Sequence, residues 1–193
     1  PEVGAEFTAL PLDHLLYTGS GAVARKVVAN AATNLVPTTL ELGGKSPTII
    51  SADADLKLAA KRIMFVKTLN AGQICLSPDY IMIKKGLEEK LISELQQVFK
   101  SFYPESNTKD YTSMVNDHHH QRMHEYLQDA KEKGAKIHNL GEFDSNENNI
   151  MTTKVLLNVN DNMRVMQEEI FGPLLPVMAV SYTHLRAHET LIY

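Results

Sequence analysis

Short apolar segments alternate with longer segments of helical periodicity along most of this chain, which restricts it to few folds. The predicted strands cover residues 14–18, 38–42, 47–50, 80–83, 155–157 and 174–177. The predicted helices cover residues 22–32, 56–64 after a cap at Asp53 or Asp55, 87–102 and 117–133. Strands that alternate with helices in this way favour an α/β architecture with a mostly parallel sheet.

Length and charge indicate a small partner. The chain has 193 residues, 44% of them apolar, which suits one domain with a proper core or parts of two. Its formal net charge of -4 comes without a clustered Lys/Arg face. Because binding to phosphates is largely electrostatic, we expect neither nucleic acid nor an anionic membrane as the main partner.

The single cysteine and the lack of long apolar runs bear on location. One cysteine, Cys75, excludes a disulfide within the chain and makes a reducing compartment the default. No apolar run approaches the ~20 residues that span a bilayer, and residues 1–6 have neither the basic start nor the apolar stretch of a signal peptide. We expect a cytoplasmic protein without a membrane span.

A glycine-rich turn follows the first predicted strand. Gly19, Ser20 and Gly21 open a helix, the context in which backbone N–H groups approach a pyrophosphate, although an ordinary strand-to-helix turn has the same pattern. Such a fingerprint expects an acidic residue about 20 positions later to bind ribose hydroxyls, and Glu41 fits that distance. Two glycines soon after Glu41 and the downstream Cys75 favour a different role.

Cys75 follows a predicted helix and precedes Pro78, so it lies in a turn. An isolated cysteine is more often a small buried apolar residue. A thiol accompanied by a carboxylate, however, suits a reaction that forms a thioester and then hydrolyses it, since water needs a base to attack that carbonyl. Cys75 and Glu41 are therefore the candidate catalytic pair.

Three segments resemble the signature motifs of aldehyde dehydrogenases, in the same order and at similar separations. They are residues 40–47 (LELGGKSP), 70–75 (NAGQIC) and 168–173 (EEIFGP). The resemblance extends from Phe7 to Val180, and residues 12–19 and 75–80 are especially similar to the coniferyl-aldehyde dehydrogenase branch. It implies part of the Rossmann-like parallel sheets of that family's fold.

The resemblance implies a mechanism as well as a fold. Cys75 would attack the aldehyde carbon, NAD or NADP would accept the electrons, and Glu41 would activate the water that releases the acid. The Cys75 backbone N–H would be one oxyanion donor, while the family's second donor, an asparagine, would come from sequence upstream of Pro1.

The same resemblance assigns residues to cofactor binding. Glu169 matches the glutamate that binds the nicotinamide ribose, and Phe171 matches the aromatic residue beside that ribose. Ser20, after Gly19, matches a phosphate contact, and Leu42 a backbone neighbour of the carboxamide. The predicted set is therefore Gly19, Ser20, Leu42, Glu169 and Phe171. Without the residues that follow, Glu168 and Glu169 would be interpreted as a solvated pair.

A histidine-rich helix raises the question of a metal site. His120 and His124 are spaced to face one side of a helix. No glutamate stands where a metallohydrolase needs one, and Met123 and Tyr126 define an apolar face instead. We therefore expect no metal.

The predicted organisation has three parts. Residues 1–42 would end an NAD(P)-binding domain, residues 43–180 would form most of a catalytic domain, and residues 181–193 would be a non-native tail. The alternative for the tail is a divergent helix capped by Thr183. If Pro1 is the true start, the adenosine-binding half of the cofactor domain is missing, so we expect little or no dehydrogenase activity from the isolated chain.

The first functional hypothesis is oxidation of a hydrophobic or aromatic aldehyde to its acid, by a protein that forms homo-oligomers at full length. A relative that passes the thioester to coenzyme A is a second possibility, although it would have little use for Glu41 as a hydrolytic base. A non-catalytic fold with relic motifs is the third.

Overall fold

Strands and helices alternate through the described part of the chain, residues 2–104 and 109–181 of a computed structural model. The chain divides into two units, Pro1–Gly44 and Lys45–Tyr193. Residues 182–193, which contain most of the predicted non-native tail, lie outside the described residues.

The first unit is a strand–helix–strand segment preceded by a short helix. Its elements are α1 (Glu2–Thr8), β1 (Leu15–Gly19), α2 (Gly21–Ala32) and β2 (Thr38–Leu42). The two strands pair in parallel, from Leu15 opposite Thr38 to Gly19 opposite Leu42. Its small buried core consists of Leu15, Val27, Ala31 and Val36. The pairing places Gly19 beside Leu42 at the carboxyl ends of both strands.

The second unit contains the remaining elements. They are β3 (Pro47–Ile50), α3 (Leu56–Thr68), a 3₁₀ turn (Leu69–Gly72), β4 (Tyr80–Lys84), α4 (Glu88–Phe102), α5 (Asp117–Glu132), β5 (Lys136–Asn139), β6 (Lys154–Leu157), α6 (Arg164–Gln167) and β7 (Leu174–Val180). Within the described ranges, no helix has both the length and the apolar content needed to cross a bilayer.

Five strands of the second unit form one sheet in the order β3-β4-β7-β6-β5. Three of the four pairings are parallel, and only β5 runs antiparallel to its neighbour β6. The predicted α/β architecture with a mostly parallel sheet is therefore confirmed. Parallel strands must be connected by crossovers, and the turn between α3 and β4, which contains Cys75, belongs to one of them.

The helices bury the apolar faces that their sequence periodicity predicts. Asp55 is the cap of α3, since its Oδ1 accepts the N–H groups of Lys57 and Leu58. On α4 the ring of Phe99, 1% exposed, lies 5.3 to 6.0 Å from three other aromatic rings, Tyr103, Tyr111 and Phe143. These rings form an aromatic cluster at the end of α4.

Three elements were not predicted, and each lacks the periodicity that would reveal it. α1 and α6 have 7 and 4 residues, too few for an apolar stripe to repeat. β5 has the sequence KIHN, with a single aliphatic residue, and lies at the edge of the sheet. Edge strands can be short and polar because one side faces solvent.

Replacing Phe99 by alanine should lower the free energy of unfolding by about 3–5 kcal/mol, because it leaves a cavity within the aromatic cluster. Urea unfolding followed by circular dichroism measures the loss. Lys100→Ala, at the exposed neighbour, should change it by less than about 0.5 kcal/mol. Equal effects of the two substitutions would contradict this description of the core.

Candidate active site

Cys75 lies in a turn between α3 and β4, and its thiol is exposed. The helix ends at Thr68, beyond the predicted residues 56–64, because the backbone then enters the left-handed region at Asn70 (φ 52°) and Ala71 (φ 53°). Left-handed conformations are costly for residues other than glycine. We call residues 73–78 the Cys75 turn.

The side chain of Gln73 holds the Cys75 turn from within. Its amide donates to the carbonyl oxygens of Asn70 (3.0 Å) and Ser113 (3.1 Å) and accepts the Val115 N–H (2.9 Å). The Asn70 side chain in turn donates to the Gln73 carbonyl at 3.2 Å. Because Gln73 is 9% exposed, these bonds form away from water and fix the strained backbone beside Cys75.

A close backbone contact joins the approach to this turn with residues 168–173, which we call the 168–173 loop. Gly72 has φ 74°, and a Cβ there would lie 2.5 Å from the carbonyl oxygen of Gly172. A Cβ on Gly172 would meet the Met123 sulfur at 2.4 Å. Gly72 is therefore required by space because its neighbours are backbone atoms, whereas at Gly172 the Met123 side chain would have to shift. The contact between the two glycines brings two of the signature motifs together.

A buried lysine supports the far end of the turn. Lys67, 1% exposed, donates through Nζ to the Pro78 carbonyl at 2.9 Å. Burial lowers the pKa of Lys67 to about 8. The charge of Asp79 opposes this shift, and the charge of Lys45 adds to it.

Asp79, which is buried, forms an ion pair with the partly buried Lys45. Asp79 Oδ1 accepts the Ile170 N–H at 2.9 Å, and the Asp79 N–H donates to the Ser46 carbonyl at 2.9 Å. Lys45 Nζ also donates to the carbonyl oxygens of Val165 (2.8 Å) and Glu168 (2.9 Å). These roles were not predicted from the sequence, although Lys45 lies in the motif of residues 40–47 and Asp79 in the similar segment 75–80.

The 168–173 loop is held from its other side by α5. The Arg122 guanidinium donates to the carbonyl oxygens of Glu169 (3.2 Å) and Ile170 (2.9 Å). Tyr126 donates its hydroxyl to the Glu168 carboxylate at 2.8 Å. Burial alone would raise the pKa of Glu168, but hydrogen bonds from Tyr126 and Arg164 lower it overall.

The predicted cofactor residues of this loop follow one another at the surface. Glu169 is partly exposed, and Phe171 is 37% exposed with a left-handed φ of 49°. Ile170 between them is buried. The side chains of Glu169 and Phe171 are therefore accessible, while the buried Ile170 anchors the loop between them. A segment that binds a ligand needs both accessible side chains and an anchor.

The first unit carries the other predicted residues. Ser20 caps α2, and its Oγ accepts the Val23 N–H at 3.3 Å. Glu41 is exposed on β2 opposite Thr18, and Leu42, 42% exposed, lies opposite Gly19. Gly19, Ser20 and Leu42 are thus brought together within this unit. Cys75 belongs to the other unit, and its pairing with Glu41 stays a prediction.

The histidine-rich helix shows a ring contact. The rings of His120 and His124 meet edge to face at 4.7 Å. Burial and the neighbouring His124 lower the pKa of His120. Across residues 2–104 and 109–181, no three His, Cys, Asp or Glu side chains are grouped so as to hold a metal ion.

Comparison with known proteins identifies the family. The family model described as "Aldehyde dehydrogenase family" matches residues 1–185. The chain belongs to the aldehyde dehydrogenase family. All three signature motifs lie within the matched region, so the Cys75 turn and the 168–173 loop are parts of an aldehyde dehydrogenase fold.

Individual aldehyde dehydrogenases agree in sequence and structure. A probable coniferyl aldehyde dehydrogenase of Pseudomonas aeruginosa is 44% identical over 100% of this chain and 42% of its own length. The substrate-bound AldH of Staphylococcus aureus superposes with a TM-score of 0.86 at 35% identity, over 95% of this chain and 40% of that one. A Mycobacterium tuberculosis aldehyde dehydrogenase complexed with NAD+ gives 0.84 at 30% identity, over 95% and 39%. The chain spans about two-fifths of these relatives.

Gly72→Ala should destabilise the protein more than Gly86→Ala. Both glycines have positive φ, but only at Gly72 would a methyl group meet backbone, whereas nothing lies within 4 Å at Gly86. We expect about 1 kcal/mol for the left-handed strain at Gly86 and at least about 2 kcal/mol more at Gly72. Thermal unfolding of both variants measures the difference, and equal losses would exclude the tight contact with Gly172.

The stability of the wild-type protein should depend on pH differently from that of the Lys67→Met variant. The pKa of Lys67 falls from 10.5 unfolded to about 8 folded, so between these pH values the unfolded chain binds more protons at this site. The free energy of unfolding of the wild type should therefore rise relative to the variant, by at most about 1 kcal/mol per pH unit. Urea unfolding of both proteins across this window tests it, and parallel pH curves would contradict it.

Proposed function

We propose that the natural protein carrying this chain oxidises an aldehyde to the carboxylic acid, with Cys75 as nucleophile and Glu41 as general base. The observation that carries the proposal is an exposed thiol on a turn that is supported by two buried side chains, Gln73 and Lys67, both hydrogen-bonded to backbone atoms. Such a turn presents its sulfur in one fixed position, which is what nucleophilic attack on a carbonyl carbon requires.

The chemistry balances with the residues named. The Cys75 thiolate adds to the aldehyde carbon, and the resulting oxyanion would be met by the Cys75 backbone N–H. NAD or NADP, when bound, supplies the acceptor for the two electrons and one proton that leave the same carbon. Glu41 then takes a proton from the water that cleaves the thioester, which releases the acid and restores the thiol.

Two segments support binding of a dinucleotide. The N–H groups of Gly21 and Ala22 precede the first intrahelical hydrogen bond of α2, which Ala24 donates to the Ser20 carbonyl at 2.9 Å. Ser20 accepts the Val23 N–H and keeps its own hydroxyl proton free to donate to a phosphate oxygen. The residues present fit the group, with Leu42 beside Gly19 and with Glu169 and Phe171 offered by the 168–173 loop.

The proposed substrate is a hydrophobic or aromatic aldehyde. Relatives named coniferyl aldehyde dehydrogenase are 44–46% identical to the chain. Exposed apolar side chains precede and follow Cys75 in the sequence: Phe65 and Leu69 are 63% and 52% exposed, and Leu76 is 79% exposed. Phe65 and Leu69 also line a depression of about 240 Å³ together with Phe102 and Tyr103. Exposed apolar surface of this extent suits an apolar ligand.

Substitution of the two catalytic residues should separate the two halves of the reaction. Cys75→Ala should abolish NAD(P)H formation from coniferyl aldehyde. Glu41→Gln should retain a single rapid burst of NAD(P)H and then slow by about 10²–10⁴-fold, because only thioester hydrolysis loses its base. Stopped-flow absorbance measures both phases, with Glu6→Gln as the matched control at another exposed carboxylate of the first unit.

Thiol labelling checks the assignment independently of turnover. Iodoacetamide should modify the Cys75 peptide, and NAD+ should slow that modification. An unreactive Cys75 would favour a non-catalytic fold instead. A wild-type protein that releases product only when coenzyme A is present would favour the acylating reaction.

A further inference from the structure

The Asp79 side chain bridges the Cys75 turn, which it follows directly in the chain, and the 168–173 loop. Its carboxylate binds the Ile170 N–H through Oδ1 and pairs with Lys45 through Oδ2. Asp79 and Ile170 are 91 positions apart in the chain, and the Asp79 side chain is 6% exposed. A carboxylate so buried needs its partners, so the loop and the ion pair are held together.

Lys45 extends this link by two more backbone contacts. Its ammonium group donates to the carbonyl oxygens of Val165 and Glu168 at 2.8 and 2.9 Å. With the Ile170 N–H, the ion pair therefore binds three backbone atoms in the six residues 165–170. The Glu168 carbonyl and the Ile170 N–H lie on the two sides of Glu169 in the chain, so the ion pair holds the backbone that carries the Glu169 side chain.

We propose that Asp79, with its partner Lys45, is a positioning residue that sets Glu169 and Phe171 for cofactor binding. The inference rests on the dehydrogenase function proposed above, because that function assigns Glu169 of the loop to the nicotinamide ribose. Ile170 lies directly between the two presented side chains, so a shift of its N–H moves both. Asp79 acts through the backbone of the loop and does not need to touch the cofactor.

The hydrogen bonds that hold the Cys75 turn do not include the Asp79 carboxylate, although its charge stabilises the protonated Lys67. Lys67 binds the Pro78 carbonyl, the Gln73 side chain ties the start of the turn to Asn70, Ser113 and Val115, and the Ser46 hydroxyl donates to the Cys75 carbonyl at 3.4 Å. The Asp79 contribution on this side is its main-chain N–H, which donates to the Ser46 carbonyl and survives substitution. Changing the Asp79 side chain should therefore disturb the 168–173 loop and leave the thiol in place.

Arg122 limits how far the loop can move. Its guanidinium, on α5, donates hydrogen bonds to the carbonyl oxygens of Glu169 and Ile170, independently of Asp79. Loss of the Asp79 carboxylate should therefore displace the loop without releasing it. The expected result is weaker cofactor use with an intact nucleophile.

The experiment compares Asp79→Ala and Asp79→Asn in the natural protein that carries this sequence. Asp79→Ala should raise the KM for NAD(P)+ by about tenfold or more, because it removes both the acceptor of the Ile170 N–H and the charge facing Lys45. Asp79→Asn keeps an acceptor oxygen and should raise the KM less. The rate at which iodoacetamide modifies Cys75 without cofactor should stay within about twofold of wild type in both variants.

A second readout needs no turnover. Hydrogen exchange of the Ile170 N–H, followed by mass spectrometry of its peptide, should accelerate in Asp79→Ala. Asp144→Asn is the matched control, because Asp144 also binds a backbone N–H, that of Thr152 at 2.8 Å, and pairs with Lys154 at 2.6 Å. It should change neither the cofactor KM nor the Ile170 exchange rate.

The outcomes separate this inference from the proposed function. An active wild type with unchanged cofactor KM in Asp79→Ala would overturn the positioning role alone, as would Cys75 modification that falls in parallel with kcat. A wild type that forms no NAD(P)H from any aldehyde would overturn the proposed function. If Asp79→Ala does not fold, Lys45→Met takes its place, since it keeps the Ile170 acceptor but loses both carbonyl contacts, and Lys45→Arg should rescue it.

Discussion

The buried Asp79 carboxylate is the constraint around which the motifs of the second unit are arranged. Removing a charge from water costs several kcal/mol unless partners replace the lost hydration. Here the partners come from distant parts of the chain: the Lys45 ammonium and the Ile170 N–H, with the Lys67 charge nearby. Satisfying one carboxylate therefore forces the segments before β3, before β4 and before β7 to meet.

Strain in the two functional loops persists because this polar framework outweighs it. Asn70, Ala71 and Phe171 adopt left-handed conformations, which cost of order 1–3 kcal/mol each at non-glycine residues. Gln73 fixes the first two, and Asp79 with Arg122 fixes the loop that contains Phe171. The backbone around Cys75 is thus organised before any ligand arrives, so a ligand need not provide the ordering energy.

Local pattern was sufficient for the α/β architecture and its longer elements, but not for α1, α6 and β5 and only partly for the site. Helices α3 and α4 repeat apolar residues often enough to be located, and Cys75, Glu41 and Glu169 stand in recognisable motifs. The partners of Asp79 could not be predicted, since nothing near an aspartate indicates a backbone N–H 91 positions away. Arg122 could not be predicted for the same reason, because the sequence of α5 indicates only which residues form its apolar face.

The Cys75 turn combines buried supports with exposed side chains. Gln73, Lys67 and Asp79 are 9%, 1% and 4% exposed and bind backbone atoms, whereas Cys75 is exposed and Leu76 is 79% exposed. A turn that relied on solvent for its hydrogen bonds would reorganise as a ligand displaced water. Because these bonds are internal, an apolar ligand that displaced water from the thiol and from Leu76 would leave the geometry of the turn unchanged.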